Sequence, residues 1–175
     1  MELLKENDPR LHDPQLLNPE SAWDFEIDGD PTDLVRDMMQ TLADNGGIGL
    51  AAPQVGISKR IFVMGNFMKT IACINPQIVS VSDDREMNLE GSLSFPELWL
   101  KVKRPKTCVV SYQTVNGEIV ERELTGMESR IFLHEYDHLI GVTFNERVSN
   151  TSLQLAKEKR KQYVKKVERI NAKSK

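Results

Sequence analysis

Three histidines occur in the 175-residue chain, and two of them stand four apart around a glutamate, in His134-Glu135-Tyr136-Asp137-His138. Residues four apart on a helix lie one turn above each other, so both imidazoles face the same way and can bind one divalent ion. Glu135 follows the first imidazole and can reach a water on that ion as a general base. The ion makes this feasible near neutrality, because it lowers the pKa of water from roughly 15.7 to about 7. A helix that happens to hold two histidines is the plain alternative. Two imidazoles also need a third ligand, and that requirement directs attention to the rest of the chain.

The elements that must hold these groups are partly legible. The histidine helix has a start signal in Thr125 with Glu128 three residues on, a capping-box pattern, and a stop in Gly141. An earlier helix is capped by Asp30, opened by Pro31 and ended by Gly46-Gly47, with Leu34, Val35, Met38, Met39 and Leu42 as its buried stripe. Short strands are expected over Arg60 to Met64, Ile71 to Ile74 and Gln77 to Val81. Thr107 to Val115 and Glu118 to Leu124 flank Asn116-Gly117, which suits a tight two-residue hairpin turn. A last helix over about 151 to 171 puts Leu153, Ala156, Tyr163, Val164, Val167 and Ile170 on one side. Helix, several antiparallel-type strands, helix, helix is an α+β order.

At this length one domain spanning 1–175 is expected. Apolar residues make up 39% of the chain and charged residues 28%, the composition of an ordinary globular protein. No stretch reaches the roughly 18 to 20 apolar residues that span a bilayer, and the N-terminus lacks a secretory pattern. Cys73 and Cys108 form no close pair, and a reducing cytoplasm is the simpler reading. The net charge of −3 hides an asymmetry, because residues 151–175 are strongly basic and the rest is acidic.

Two further segments add to the histidine pattern: Gly47-Ile48-Gly49-Leu50-Ala51-Ala52-Pro53-Gln54 and Glu90-Gly91-Ser92-Leu93-Ser94-Phe95-Pro96. In that order and spacing the three resemble the signatures of the peptide deformylases, and the resemblance runs from Asp8-Pro9-Arg10-Leu11 to the C-terminal helix, in the manner of the bacterial type-one form. It implies antiparallel-rich sheets packed around a central His-Glu-x-x-His helix, with a C-terminal helix after it. It implies one divalent metal ion (iron in the family, with zinc, nickel or cobalt able to substitute) held by His134, His138 and the residue at position 92. By the same resemblance Glu135 is the acid/base, and Gln54 and the Leu93 N–H are oxyanion donors. Ile48, Gly49, Glu90, Gly91, Met127, Arg130 and Ile131 line or edge a methionine pocket, and the backbone near Gly49 pairs with the peptide as an added strand. The implied substrate is a formyl-methionyl peptide and the implied protein a monomer, without membrane attachment.

One ligand departs from the family, whose second signature has cysteine where this chain has Ser92. A neutral hydroxyl cannot replace a soft thiolate, so metal binding and activity are expected to be impaired, with preference moved toward harder ions. Three readings stay open: a substitution made to trap substrate or protect the thiolate, a native homologue with altered metal use, and a site without metal. Leu133 stands where the family usually has glutamine. Asp137 is expected to orient a histidine or to pair with Arg104 or Arg130, the plain alternative being a solvated charge. Trp99 is expected to be partly buried by packing, the alternative being a cover over one edge of the peptide groove. The tail, with Lys157, Lys159, Arg160, Lys161, Lys165, Lys166 and Arg169, resembles the ribosome-docking extension of bacterial deformylases, against the plain reading of a solvated helix face. Rival functions are a deformylase-like protein that binds formyl-methionine without cutting it, and an unrelated His-Glu-x-x-His protease.

Overall fold

The computed structural model describes residues 1–66 and 69–173. Helix α1 (Thr32–Asp44) begins one residue later than expected, with Pro31 as the cap residue and not the first helical one. The Asp30 carboxylate accepts the Thr32 N–H at 2.9 Å, relieving one of the unpaired donors of a helix start. Its stripe is as read, with Val35, Met38 and Leu42 buried and Leu34 and Met39 packed beside them.

A five-stranded antiparallel sheet follows, in the order β1-β2-β3-β6-β7, built from β1 (Gly49–Ala51), β2 (Ile61–Asn66), β3 (Lys69–Val81), β6 (Thr107–Gln113) and β7 (Ile119–Thr125). Between β3 and β6 the chain leaves to form a two-stranded sheet, β4 (Arg85–Ser92) and β5 (Phe95–Pro105). Helix α2 (Gly126–Leu139) packs against β1, β2, β6 and β7 on one side and β5 on the other, so the His-Glu-x-x-His helix is held between both sheets. Phe132 anchors it, meeting Phe62 edge to face with ring centroids 5.0 Å apart. Such a pair is worth about 1 kcal/mol beyond the area it buries. Helix α3 (Asn150–Lys173) closes the described chain. No helix among the described residues is long and apolar enough to cross a membrane.

Several local expectations change. The two strand segments over 71–81 form one strand, β3, with a register shift between Ile74 and Gln77. There Asn75 takes φ +48, and its amide accepts the Trp23 N–H at 2.8 Å and donates to Gln113 at 2.6 Å. The hairpin is not a two-residue turn, which would need a positive φ at both central residues. Only Gly117 takes one; its N–H closes on Thr114 O at 3.0 Å, and the left-handed glycine then leads into β7. The capping box at Thr125 does not form: Glu128 points toward Arg122 at 3.9 Å, and Thr125 is held extended by pairing with Thr107. The stripe of α3 packs only in part. Leu153 and Ala156 reach the core and Arg160 pairs with Glu6 at 2.8 Å, but Tyr163 and Val164 stay exposed because the helix runs on past the surface that could bury them. Strands β1, β4 and β5 were not expected.

Candidate active site

Helix α2 places His134, Glu135 and His138 in the interior, each less than one-tenth exposed. The two imidazole rings lie 5.4 Å apart between centroids. That closeness follows from their spacing of four on one helix. Neither nitrogen of His138 has a hydrogen-bond partner, nor does Glu135 Oε2, although all three atoms are buried. Buried polar atoms are normally paired, so three orphans on successive turns of one helix mark a place built for something else. Burial, with His134 and Arg104 nearby, drives the His138 pKa well below the ordinary imidazole value. The ring is left neutral, the state in which its nitrogen can be a ligand. Burial also pushes the Glu135 carboxyl up to about 7, which suits exchange of a proton near neutrality.

The glycine of β1 explains how Glu135 fits. A Cβ on Gly49 would lie 2.7 Å from Glu135 Cδ and overlap Oε1. The carboxylate therefore rests on β1 only because that position has no side chain. β1 is also the edge strand of its sheet, paired with β2 alone.

Glu90 and Arg130, expected at a methionine pocket, take part in a buried ion network. Glu90 accepts from Arg104 at 2.8 and 2.9 Å and from Arg130 at 2.6 Å, and lies 3.0 Å from His134 Nδ1. Burial alone would raise its pKa, but the hydrogen bonds with His134 and Arg104 outweigh it and hold the carboxyl at about 2. With Nδ1 facing a carboxylate, the His134 ring is oriented with Nε2 pointing away. Arg104 reaches on to Asp137 at 2.8 Å and to the Leu133 carbonyl, and Arg147 pairs with Asp137 at 3.0 Å. Asp137 thus meets Arg104 as one reading allowed, but its other partner is Arg147 and not Arg130. Leu133 contributes its side chain to the core.

Ser92 ends β4, two residues beyond Glu90. The Gln54 amide donates to Ser92 Oγ at 3.1 Å and to Ser94 Oγ at 3.2 Å, while its own oxygen accepts the Ala51 N–H at 2.9 Å. Leu93 lies in the turn between β4 and β5, with its side chain against Gly47. Ile48, in the bend just before β1, and Met127, in the first turn of α2, are half exposed, and Ile131, one turn further into α2, is partly buried against the core. Trp99, expected to be partly buried, is 58% exposed, with its ring so close over Gly91 that a Cβ there would sit 3.0 Å from it.

The donor set fits a divalent ion in part. Two imidazoles face the site, but among the described residues no three His, Cys, Asp or Glu side chains gather as a metal site. Cys73 and Cys108 are free, buried in the core, and raised in pKa by that burial, so neither supplies a thiolate. Sequence reasoning missed the role of Arg147, the function of Glu90 as the partner of His134, and the contact of Ser94 with Gln54. A signal existed for Arg104, which continues the inward alternation Leu98, Leu100, Val102. A charged residue at such a position must find buried carboxylates.

Comparisons with known proteins give the family and the fold. The polypeptide deformylase family model matches residues 6–154. The peptide deformylase of Thermotoga maritima is 44% identical over 125 residues, covering 71% of this chain and 76% of its own. That of Finegoldia magna is 39% identical over 145 residues, covering 82% and 90%. A crystal structure of a Synechococcus elongatus peptide deformylase in complex with actinonin superposes with a TM-score of 0.82 at 37% identity, covering 91% of this chain and 85% of the other. The T. maritima crystal structure gives 0.77 at 38% identity, over 85% and 97%. The chain belongs to the polypeptide deformylase family.

Proposed function

We propose that this chain, as one domain over 1–175, hydrolyses the N-formyl group from formyl-methionyl N-termini of new polypeptides, acting as a cytoplasmic monomer. The observation that carries the reading is the trio of partnerless buried atoms on His138 and Glu135, set against a glycine that makes room for the carboxylate.

His134 and His138 would hold the divalent ion, with Ser92 as a neutral third ligand, and the ion (iron, zinc, nickel or cobalt) would polarise the formyl carbonyl and acidify water. Glu135 takes the proton from the attacking water and returns it to the departing amine, a task its near-neutral pKa suits. The Gln54 amide and the Leu93 N–H donate to the oxygen that gains charge; such donors are worth about 3 kcal/mol each in other hydrolases. The free edge of β1 at Gly49 pairs with the peptide backbone. Ile48, Met127 and Ile131 give apolar surface for the methionine side chain, with Gly91 at the edge. Glu90 and Arg130 edge the same pocket, fixed there by their ion pair.

The missing anionic ligand makes this form weak. Ser92→Cys is expected to raise bound metal per chain and formate release together, and no gain in either overturns the ligand argument. The absence of three metal-binding side chains among the described residues favours one second reading, a protein that grips formyl-methionine without cutting it. A formyl-methionyl peptide that binds yet yields no formate at any metal loading would establish that reading. The basic α3 docks on the ribosome, a reading supported by its run of exposed lysines.

A further inference from the structure

We infer that Ser94 is a positioning residue that holds the Gln54 side-chain amide in its donating orientation, while Ser92 competes for the same amide. The inference rests on the deformylase reading and adds a residue to it.

The orientation of Gln54 is determined at both ends. Its Oε1 accepts the Ala51 N–H at 2.9 Å. Only the oxygen of the amide can do this, so the NH2 end must face the β4–β5 turn. There its two hydrogens meet two hydroxyls, Ser92 Oγ at 3.1 Å and Ser94 Oγ at 3.2 Å. The two serines differ in burial. Ser94 is fully buried, whereas Ser92 is partly exposed and also accepts the Ser94 N–H at 3.4 Å. Ser94 is therefore the fixed anchor at the back of the amide. The hydrogen shared with Ser92 is the one that can turn to a substrate oxygen. Removing the Ser94 hydroxyl leaves one amide hydrogen buried without an acceptor, and the amide then rotates or tilts to satisfy it.

Two measurements test this. In the chain as it stands, the Gln54 NH2 pair in a proton–nitrogen NMR spectrum, assigned by its loss in Gln54→Ala, is expected to shift and broaden in Ser94→Ala while the core amide pattern stays unchanged. An unmoved pair overturns the anchor. In the Ser92→Cys background with its metal content measured, Ser94→Ala is expected to lower kcat about tenfold, a fraction of what losing an oxyanion donor outright costs. KM and bound metal should stay unchanged. On Gln54→Ala the further change Ser94→Ala should cost less than about twofold, because the group it positions is gone. Equal losses in both backgrounds would make Ser94 merely structural and overturn the proposal. If the Ser92→Cys form binds metal yet releases no formate, the deformylase reading falls, and the NMR arm still decides whether Ser94 anchors Gln54.

Discussion

Glu90 and His134, 44 residues apart in the chain, meet at 3.0 Å in the interior, and the carboxylate that orients the imidazole is itself held by two arginines. β4 and α2 are thereby joined at the ring that would carry the metal. Removing the carboxylate leaves Arg104 and Arg130 buried without their shared counter-charge. Glu90→Ala is therefore expected to cost about 3–5 kcal/mol in urea unfolding, the usual result of breaking a buried pair from one side. Glu90→Gln, which keeps an acceptor for Nδ1, should cost less and retain more bound metal. Equal stability for Glu90→Ala and the parent would contradict the network.

Gly49→Ala isolates steric room from chemistry. The added methyl would overlap Glu135 Oε1, and β1 cannot retreat because β2 pairs with it. The carboxylate must move instead. In the Ser92→Cys background the expected outcome is a loss of kcat on the order of a hundredfold, with a stability change of about 1–3 kcal/mol. Full activity in the alanine form would show that Glu135 does not work from this position.

Metal binding can be read without any assay of turnover. A ligand that binds only the folded state raises stability by about 2.7 kcal/mol at roughly a hundredfold excess over Kd. Cobalt or zinc is expected to raise the Tm of the Ser92→Cys form more than that of the parent, and His138→Ala should abolish both increases. An undiminished shift in His138→Ala would move the ion elsewhere.

The same residues show why the sequence spoke clearly in some places and not in others. The helix α1 stripe and the spacing of His134 and His138 follow one periodicity set by local geometry, so they were readable. β4 inverts the usual pattern: Met87 and Leu89 face solvent while Glu90 faces inward. An apolar-in rule cannot find a strand whose buried face is ionic. β5 does alternate, but Pro96 and the left-handed Glu97 (φ +60) interrupt its start. The partners of Glu90 and Asp137 lie on separate elements, and nothing local in the chain announces pairings at that distance. The bond from Gln54 to Ser94 is of the same kind.

The Glu6–Arg160 pair gives a pH test of how α3 attaches. The hydrogen bonds from Arg160 lower the Glu6 pKa below its ordinary value of 4.5. A depressed folded pKa contributes stability that is present above the unfolded value and lost as pH falls through the folded one. The pair is partly exposed, so the contribution is about 0.5 kcal/mol. Glu6→Gln is expected to be less stable than the parent by that amount near neutrality, with the difference vanishing as the pH falls through the lowered pKa of Glu6 in the folded state. A difference that persists in acid would assign the effect to packing instead of charge.

The outer half of α3 separates docking from catalysis. Beyond Arg160 the helix shows Tyr163 and Val164 to solvent among Lys161, Lys165 and Lys166, far along the chain from every residue given a chemical role. If that face meets ribosomal phosphates, each lysine that makes a contact releases counterions, and binding falls with salt by a log–log slope of about 0.7–0.9 per contact. Replacing Lys161, Lys165 and Lys166 together by alanine is expected to weaken co-sedimentation with ribosomes and to lower that slope by about two. Turnover of a short formyl-methionyl peptide by the Ser92→Cys form should be unchanged by the same three substitutions, because α3 reaches the body through Leu153, Ala156 and Arg160, all of which remain. A slope that does not move would leave the basic face as a solvated surface, and a parallel loss of peptide turnover would mean that the helix supports the catalytic domain instead of docking it.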